Sequence, residues 1–198
     1  EKNRHVLVMA DSQSAHKALD PLKIIYEFVD GAGYKQGESR IDSWLINHDL
    51  RAGRYAAKDF NFETPSNSLL SKINSSVNLA DSEVYELYDY PGGYEKRDEG
   101  EKYVRMRMEE EEVEHATIHA EGNCRHFNAA FRFELTEHNR RDQNKAYVLT
   151  SVTHSASIGG NFPDLTGPED HHYRNGFTCI PYTVPFRPGR HTPKPIVR

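Results

Sequence analysis

One segment of this chain, from Asp98 to about Val113, spaces its apolar residues with the period of an α-helix. One side of the segment is formed by positions i, i+3, i+7 and i+10, which are Tyr103, Met106, Glu110 and Val113. Val104 and Met108 widen its apolar face. Acidic residues fill the first turn, where the helix dipole favours negative charge. No other stretch has this period over such a length. The sequence therefore predicts an α+β, β-rich chain with a single main helix.

The other apolar runs before this helix are short and end at turn residues, which is typical of strands. We expect strands at residues 5–10, 22–29, 41–50, 55–62 and 83–90, with a hairpin joining the third and fourth. A short helix is expected at 66–73, because Ser66 is a suitable N-cap.

After the helix, three segments alternate apolar and polar residues, at 116–120, 131–135 and 147–152. This is the pattern of half-buried strands, so they are expected to form an antiparallel meander covered by the helix. Four aromatic or aliphatic side chains are predicted to be buried in it: Phe131, Phe133, Leu135 and Tyr147.

The acidic run Glu109–Glu112 lies near the carboxyl end of the predicted helix, where negative charge is unfavourable. We interpret it as a solvated face. The alternative is contact with a basic partner surface.

Short motifs follow one another in a fixed order along the chain. The central motifs are Leu87-Tyr-Asp-Tyr-Pro-Gly-Gly-Tyr94, the segment 99–110 and Gly122-Asn-Cys-Arg125. Before them come the segment 5–12, Trp44 and the segment 51–62. After them come the segments 131–135, 147–154 and 177–188. This series resembles the hub region of the VgrG family, the spikes of type VI secretion systems, grouped with the phage late control and tail hub proteins. Ala52 and Asn61 stand where that family usually has Pro and Asp.

The resemblance implies a phage-tail-hub-like fold, with an antiparallel β-barrel or meander packed by one main helix. It implies a structural spike component and not an enzyme, without catalytic residues or cofactor. The implied partners are two further copies in a homotrimer, a hexameric tube protein, baseplate components and an effector or adaptor. Such a protein is assembled in the bacterial cytoplasm and then secreted or injected into a target cell. The family's needle domain would follow residue 198, and a further hub portion would precede residue 1.

Three regions are expected along the chain: a first hub subdomain at 1–78, a second at 79–185 and a connector at 186–198. Residues 181–198 contain five prolines, four basic residues and no acid. Prolines prevent regular hydrogen-bonded structure, and the basic residues have no acidic neighbours in sequence, so this segment should run extended over the hub surface.

Charge and hydropathy exclude two classes of partner. The net charge of −5 lies entirely in residues 1–100, and no basic stripe with interleaved aromatic residues is present, so nucleic acid is not expected as a partner. No run of eighteen apolar residues occurs, so a stable membrane anchor is not expected either. A hydrophobic content of 36% predicts apolar surface shared with other segments or chains.

The residues that could bind a metal do not form a recognised motif. His115 and His119 have a spacing of four, and Cys124 and His126 follow, but along a strand the two histidines would lie roughly 13 Å apart. We therefore expect no metal site. Cys124 and Cys179 are expected to be reduced thiols, with a disulfide formed in air as the alternative. His171 and His172 are interpreted as exposed loop residues.

No nucleophile elbow, catalytic triad or phosphate-binding loop is recognisable. A second hypothesis, from a different class, is a non-catalytic carbohydrate- or peptide-binding β-module. Trp44 and the eleven tyrosines could supply its stacking platforms. A trimer in solution favours the hub, and a monomer that binds glycans favours the module.

Overall fold

The computed structural model of the protein describes residues 7–27, 39–47, 49–77, 84–157 and 172–192. In chain order the elements are β1 (Ala18–Tyr26), β2 (Arg40–Ile46), β3 (Arg54–Ala57), β4 (Ser71–Asn74), β5 (Glu86–Asp89), α1 (Arg97–His115), β6 (Ile118–Gly122), β7 (Arg132–Thr136), β8 (Ala146–Ser157) and β9 (His172–Pro181). Two 3-10 turns lie at Gln13–Ala15 and Arg141–Gln143.

The chain forms two compact units that are interleaved in sequence. Unit 1 comprises Glu1–Ile46 and Ile118–Thr183, and unit 2 comprises Asn47–Thr117 and Val184–Arg198. This division differs from the expected boundaries at residues 78 and 185. The reason is that β1 and β2 pair with strands that follow α1, so the first strands and the closing strands share one unit.

Unit 1 is a closed six-stranded barrel in the order β1-β2-β6-β9-β8-β7. β1 is parallel to both of its neighbours, and the other four pairs are antiparallel. The β-rich fold class with a barrel is thus confirmed. The expected meander of β6, β7 and β8 is not present, because β6 lies between β2 and β9 while only β7 and β8 are neighbours. The register of β2 and β6 ends with Ile46 opposite Ile118.

The barrel core is built from alternating inward positions, as predicted for β6 and β7. Phe133 and Tyr147 are stacked with ring centroids 5.7 Å apart, and Phe127 meets Phe177 edge-on at 4.9 Å. The predicted burial of Phe133, Leu135 and Tyr147 is confirmed, whereas Phe131 is only half-buried at the core's margin.

Unit 2 is a three-stranded sheet in the order β4-β3-β5 with α1 packed on β3 and β4. β3 is antiparallel to β4 and parallel to β5. The core of this unit consists of Tyr55, Ala57, Leu69, Tyr94, Val104 and Met108. The helix predicted at 98–113 is confirmed. It was expected to pack on the closing strands, but it packs on the sheet of unit 2.

The buried face of α1 agrees with the predicted one at Val104, Met108 and Val113 and differs from it at Met106. Val104, Met108 and Glu112 follow at intervals of four residues and are buried, whereas Met106 is 44% exposed. Spacings of three and four are both compatible with a helical face, and the position of the sheet decides between them.

Three expectations for the first half of the chain are wrong. Residues 7–10 form no strand, and Leu7, Val8 and Met9 are exposed; residues 5 and 6 lie outside the described part of the chain. The segment expected as a helix at 66–73 contains β4. The expected hairpin does not form, because β2 belongs to the barrel and β3 to the sheet of unit 2.

Candidate assembly surfaces

The tyrosine-rich motif at 87–94 is a structural joint between β5 and α1. The Asp59 carboxylate accepts hydrogen bonds from the backbone N–H groups of Gly93, at 2.6 Å, and Tyr94, at 3.2 Å. The Tyr94 hydroxyl lies 2.8 Å from the carbonyl oxygen of Ala57 and 2.6 Å from that of Leu69, so its single proton is shared between these two acceptors. Gly93 has φ of 75°, which glycine adopts without strain. These contacts fix the angle at which the chain enters α1.

β5 forms an open edge of the sheet in unit 2. The N–H groups of Gly53 and Arg54 donate to Tyr85 O, and that of Lys58 donates to Asp89 O, so this side of β5 faces β3. Since backbone groups alternate sides along a strand, those of Glu86 and Tyr88 point away from β3. Among the described residues, no strand pairs with that side.

The side chains along this edge are unusually apolar for exposed positions. Residues 84–90, which we call the β5 edge, contain five exposed apolar or aromatic side chains, from 38% exposed for Leu87 to 79% for Val84; the others are Tyr85, Tyr88 and Tyr90. The loop beside the motif adds exposed Phe60 and Phe62. Soluble proteins usually protect edge strands with charge, bulges or proline, and an exposed apolar edge marks an interaction site.

The acidic run of α1 is engaged within unit 2 and is not a solvated face as expected. Glu109 accepts a hydrogen bond from Arg187 Nε at 2.7 Å, and Glu110 accepts one from the backbone N–H of Arg190 at 2.8 Å. Glu111 pairs with Arg51 at 3.3 Å. The basic surface considered as the alternative is therefore supplied by the chain itself. Arg187 and Arg190 of the exit segment thus find on α1 the acidic partners that their neighbours in sequence do not supply.

Glu112 is the buried member of this run. One of its carboxylate oxygens accepts from Ser75 Oγ at 2.8 Å, from the backbone N–H of Ser76 at 2.6 Å and from Ser76 Oγ at 2.9 Å. Sequence reasoning missed this role. A usable signal was present, because Glu112 lies four residues after Met108 and eight after Val104 on the same side of the helix.

The residues considered for a metal site are placed apart in the fold. His115 ends α1 in unit 2, where its Nδ1 lies 2.8 Å from Asp49 O, so its expected position in a strand is wrong. His119 lies in β6 of unit 1, and burial lowers the pKa of His126. Within the described ranges, no three His, Cys, Asp or Glu residues converge on a point that could hold a metal. His171 lies outside those ranges, and His172 begins β9.

Both cysteines are free and buried in the barrel. Burial raises the pKa of Cys124 to about 12 and raises the pKa of Cys179 well above its ordinary value. The neutral thiol is a poor nucleophile, so neither residue is placed for covalent chemistry.

Trp44 does not offer a free stacking face. It packs at the margin of the barrel core with its ring 5.0 Å from that of Tyr147, and its Nε1 lies 3.4 Å from Gln143 Oε1.

No helix in the described part of the chain is both long and apolar enough to cross a bilayer.

Comparison with known proteins gives one consistent group. The profile of the phage tail baseplate hub family (GPD) matches residues 1–160. The type VI secretion system spike proteins VgrG1c and VgrG1a of Pseudomonas aeruginosa are 28% and 27% identical to the chain over its whole length. The chain spans only 27% and 30% of the length of these two relatives.

A solved structure shares the fold at low sequence identity. The 43 kDa tail protein of prophage MuSo2 from Shewanella oneidensis matches 86% of this chain and 46% of its own, with a TM-score of 0.55 and 9% identity. The hub profile covers most of the chain, and the relatives that align with all of it are spike proteins. The chain therefore belongs to the phage tail baseplate hub family, together with the VgrG spike proteins of type VI secretion systems.

Proposed function

We propose that this chain is the hub portion of a spike protein in a contractile injection machine of the type VI secretion kind. Three copies assemble around an axis, one face of the hub docks on a hexameric tube protein within the baseplate, and the opposite end carries a needle. The assembled spike is secreted or injected with an effector or adaptor. Its role is mechanical, and we assign it no catalytic residue.

The observation that carries the proposal is the hub family match over residues 1–160, together with the spike identity of the aligned relatives. Homotrimeric assembly requires each chain to bury surface that it cannot cover alone. The β5 edge meets that requirement, because no described strand pairs with its outer side and it carries five exposed apolar or aromatic side chains. We therefore assign the β5 edge to contact with a second copy of the chain.

Engagement of the tube is proposed from family membership alone, and no residue is assigned to it. The connector role of residues 186–198, which would pass the chain toward a needle domain, is likewise part of the proposal. β9 ends at Pro181, and the eleven residues 182–192 that follow it form no helix or strand, which is compatible with a connector.

The test is the oligomeric state of the full-length protein that contains this chain. Light scattering at micromolar concentration should give the mass of a trimer. The chain of residues 1–198 is measured in parallel to learn whether the hub portion suffices. A stable monomer of the full-length protein at that concentration contradicts the hub proposal.

A further inference from the structure

We infer that residues 184–192 form a strap that ion pairs latch to the acidic run of α1, and that this latch bears load from the downstream chain before barrel strand β9 does. The latch is a property of unit 2 alone. Its mechanical role rests on the proposed hub function.

The first observation is a pair of adjacent acidic residues that hold two basic residues of the strap. Arg187 binds Glu109 through Nε at 2.7 Å, with side chains 28% and 18% exposed. Arg190 binds Glu110 through its backbone N–H at 2.8 Å and through Nε at 3.4 Å. Partial burial makes the Arg187–Glu109 pair stronger than an isolated surface pair, whereas the Arg190 side chain is 52% exposed and its backbone N–H adds the second contact. Two contacts three residues apart fix both the position and the direction of the strap.

The acceptor side of the latch is also held by contacts within α1 that do not involve the strap. Arg107 donates to Glu110 at 2.8 Å, and its guanidinium lies 4.9 Å from the centre of the Tyr103 ring. Arg107 and Glu110 are both largely buried, at 11% and 18% side-chain exposure. An acceptor with a fixed rotamer loses less conformational entropy on binding, so each contact with the strap is stronger.

The charge distribution of α1 favours cations near its acidic run. Four consecutive glutamates occupy the carboxyl-terminal half of α1, where the helix dipole and mutual repulsion both disfavour them. Arg51 offsets Glu111, and hydrogen bonds from Ser75 and Ser76 satisfy Glu112. Glu109 and Glu110 are offset by the strap. The acidic run is thus explained as a receptor for basic segments of the same chain.

The strap is well suited to lie extended on the helix. Pro185 and Pro188 flank the Phe186-Arg187 pair, which restricts the backbone and removes two N–H groups that would otherwise seek partners. In chain order the latch lies after β9, which ends at Pro181. A pull on residues beyond 192 therefore reaches the latch before it reaches the barrel.

The latch can be tested on the chain of residues 1–198 by hydrogen exchange at the Arg190 amide and by trypsin cleavage after Arg190. The double variant Glu109→Gln, Glu110→Gln removes both charges with little change in shape. We expect exchange and cleavage to rise about threefold to tenfold, and wild type to approach the variant in 0.5 M salt, where exposed pairs are screened. Glu101→Gln, which disrupts an exposed pair with Arg97 on the same helix, is the matched control and should change neither rate.

Swapping the charges of residues 109 and 187 distinguishes loss of the latch from general destabilisation of the helix. Glu109→Arg alone should release the strap, and the combination of Glu109→Arg with Arg187→Glu should restore protection. The latch is overturned if the Gln variant shows the same hydrogen exchange and trypsin cleavage as wild type. It is also overturned if the combined Glu109→Arg and Arg187→Glu variant does not regain protection.

The load-bearing role is tested by pulling single molecules from residue 198. Wild type should show an early rupture, ahead of barrel unfolding, and the Gln variant should lose it; the same trace from both overturns the mechanical part. If the full-length protein proves monomeric while the strap is protected as expected, the hub proposal fails and the latch stands.

Discussion

At the scale of single residues, the two units depend on different kinds of buried group. The barrel is filled by aromatic rings and two thiols, and its largest side chains are fully enclosed. Unit 2 has a smaller core, and its backbone is organised around three polar groups: the buried Glu112 and Tyr94 and the half-buried Asp59. Apolar truncation should therefore be costly in the first unit, and loss of a single acceptor should be costly in the second.

Phe133→Ala should destabilise the barrel by about 3–5 kcal/mol, because the ring is fully buried among three other aromatic rings. Urea unfolding followed by Trp44 fluorescence measures this. Phe62→Ala removes a ring of the same size that is 81% exposed and should change the free energy by less than about 0.5 kcal/mol. A cost below about 1 kcal/mol for Phe133→Ala would show that the barrel core is not closed.

The buried thiols predict a loss of stability in alkaline solution. The pKa of Cys124 is raised to about 12 in the folded chain, so the thiol stays protonated there while the unfolded chain ionises near pH 9. The stabilisation is complete below pH 9 and is lost as the pH rises toward 12. Between pH 8 and pH 10, Cys124 should contribute a loss of about 1 kcal/mol. The raised pKa of Cys179 acts in the same direction.

Cys124→Ser provides the comparison, since serine keeps a donor for Arg40 O, which the thiol contacts at 3.4 Å, and does not ionise in this range. The difference in unfolding free energy between pH 8 and pH 10 should be smaller in this variant. Equal differences in both proteins would mean that the thiol is reached by solvent.

At the scale of elements, the bounds of α1 could be predicted well from its sequence, but the way α1 packs could not. Its bounds follow from the apolar period and the acidic first turn. Which side is buried depends on the sheet beneath, and that sheet comes from short strands with weak patterns. The glutamate run looks solvated in sequence because its partners are remote, at Arg51, Ser75, Ser76, Arg187 and Arg190.

The same limit applies to the strands. Residues 131–135 alternate apolar and polar side chains, so burial of Phe133 and Leu135 could be predicted. The pattern at 147–152 indicated a strand, but Tyr147, Val148 and Leu149 are buried in succession and do not alternate. Strand order could not be predicted, since pairing of β1 with β7 is decided by tertiary packing across more than a hundred residues. The β5 edge was also missed, because a run of aromatic residues has the same sequence pattern whether the strand is central or at the edge.

Glu112→Ala should destabilise unit 2 by about 2–3 kcal/mol, because it leaves two serine hydroxyls and the Ser76 N–H without their acceptor in a buried place. Thermal unfolding followed by the helical circular dichroism signal measures the change. Glu101→Ala truncates the same residue type on the exposed part of the helix and should cost less than about 0.5 kcal/mol. Equal effects would mean that Glu112 is accessible to water.

At the scale of the whole molecule, the chain builds two units with separate cores. Unit 1 closes its sheet into a barrel and has no free edge in the described strands, whereas unit 2 keeps open edges. Surface for association through strand pairing is thus concentrated in the smaller unit. The β5 edge is its most apolar part.

Tyr88→Glu should weaken assembly of the full-length protein without unfolding it, because it places a charge on an exposed side chain of the β5 edge. Light scattering over a dilution series should show dissociation at a concentration at least tenfold higher than for wild type. Leu45→Glu, at a residue that is 56% exposed on β2 of the barrel, is the control and should leave assembly unchanged. Unchanged assembly of Tyr88→Glu would remove the β5 edge from the interface while leaving the trimer itself in place.

The interleaved order of the two units also sets the order in which the molecule can fold. Residues 47–117 are complete when synthesis passes α1, but β1 and β2 must wait for β6 to β9, and closing a loop of about 100 residues costs about 4 kcal/mol of chain entropy. If residues 47–117 fold before the barrel, much of this entropy cost is removed. The two ends of this segment already meet where His115 contacts Asp49, which brings Ile46 toward the position opposite Ile118. We therefore expect substitutions that weaken residues 47–117 to slow the folding of the barrel, although they leave the barrel's own contacts untouched.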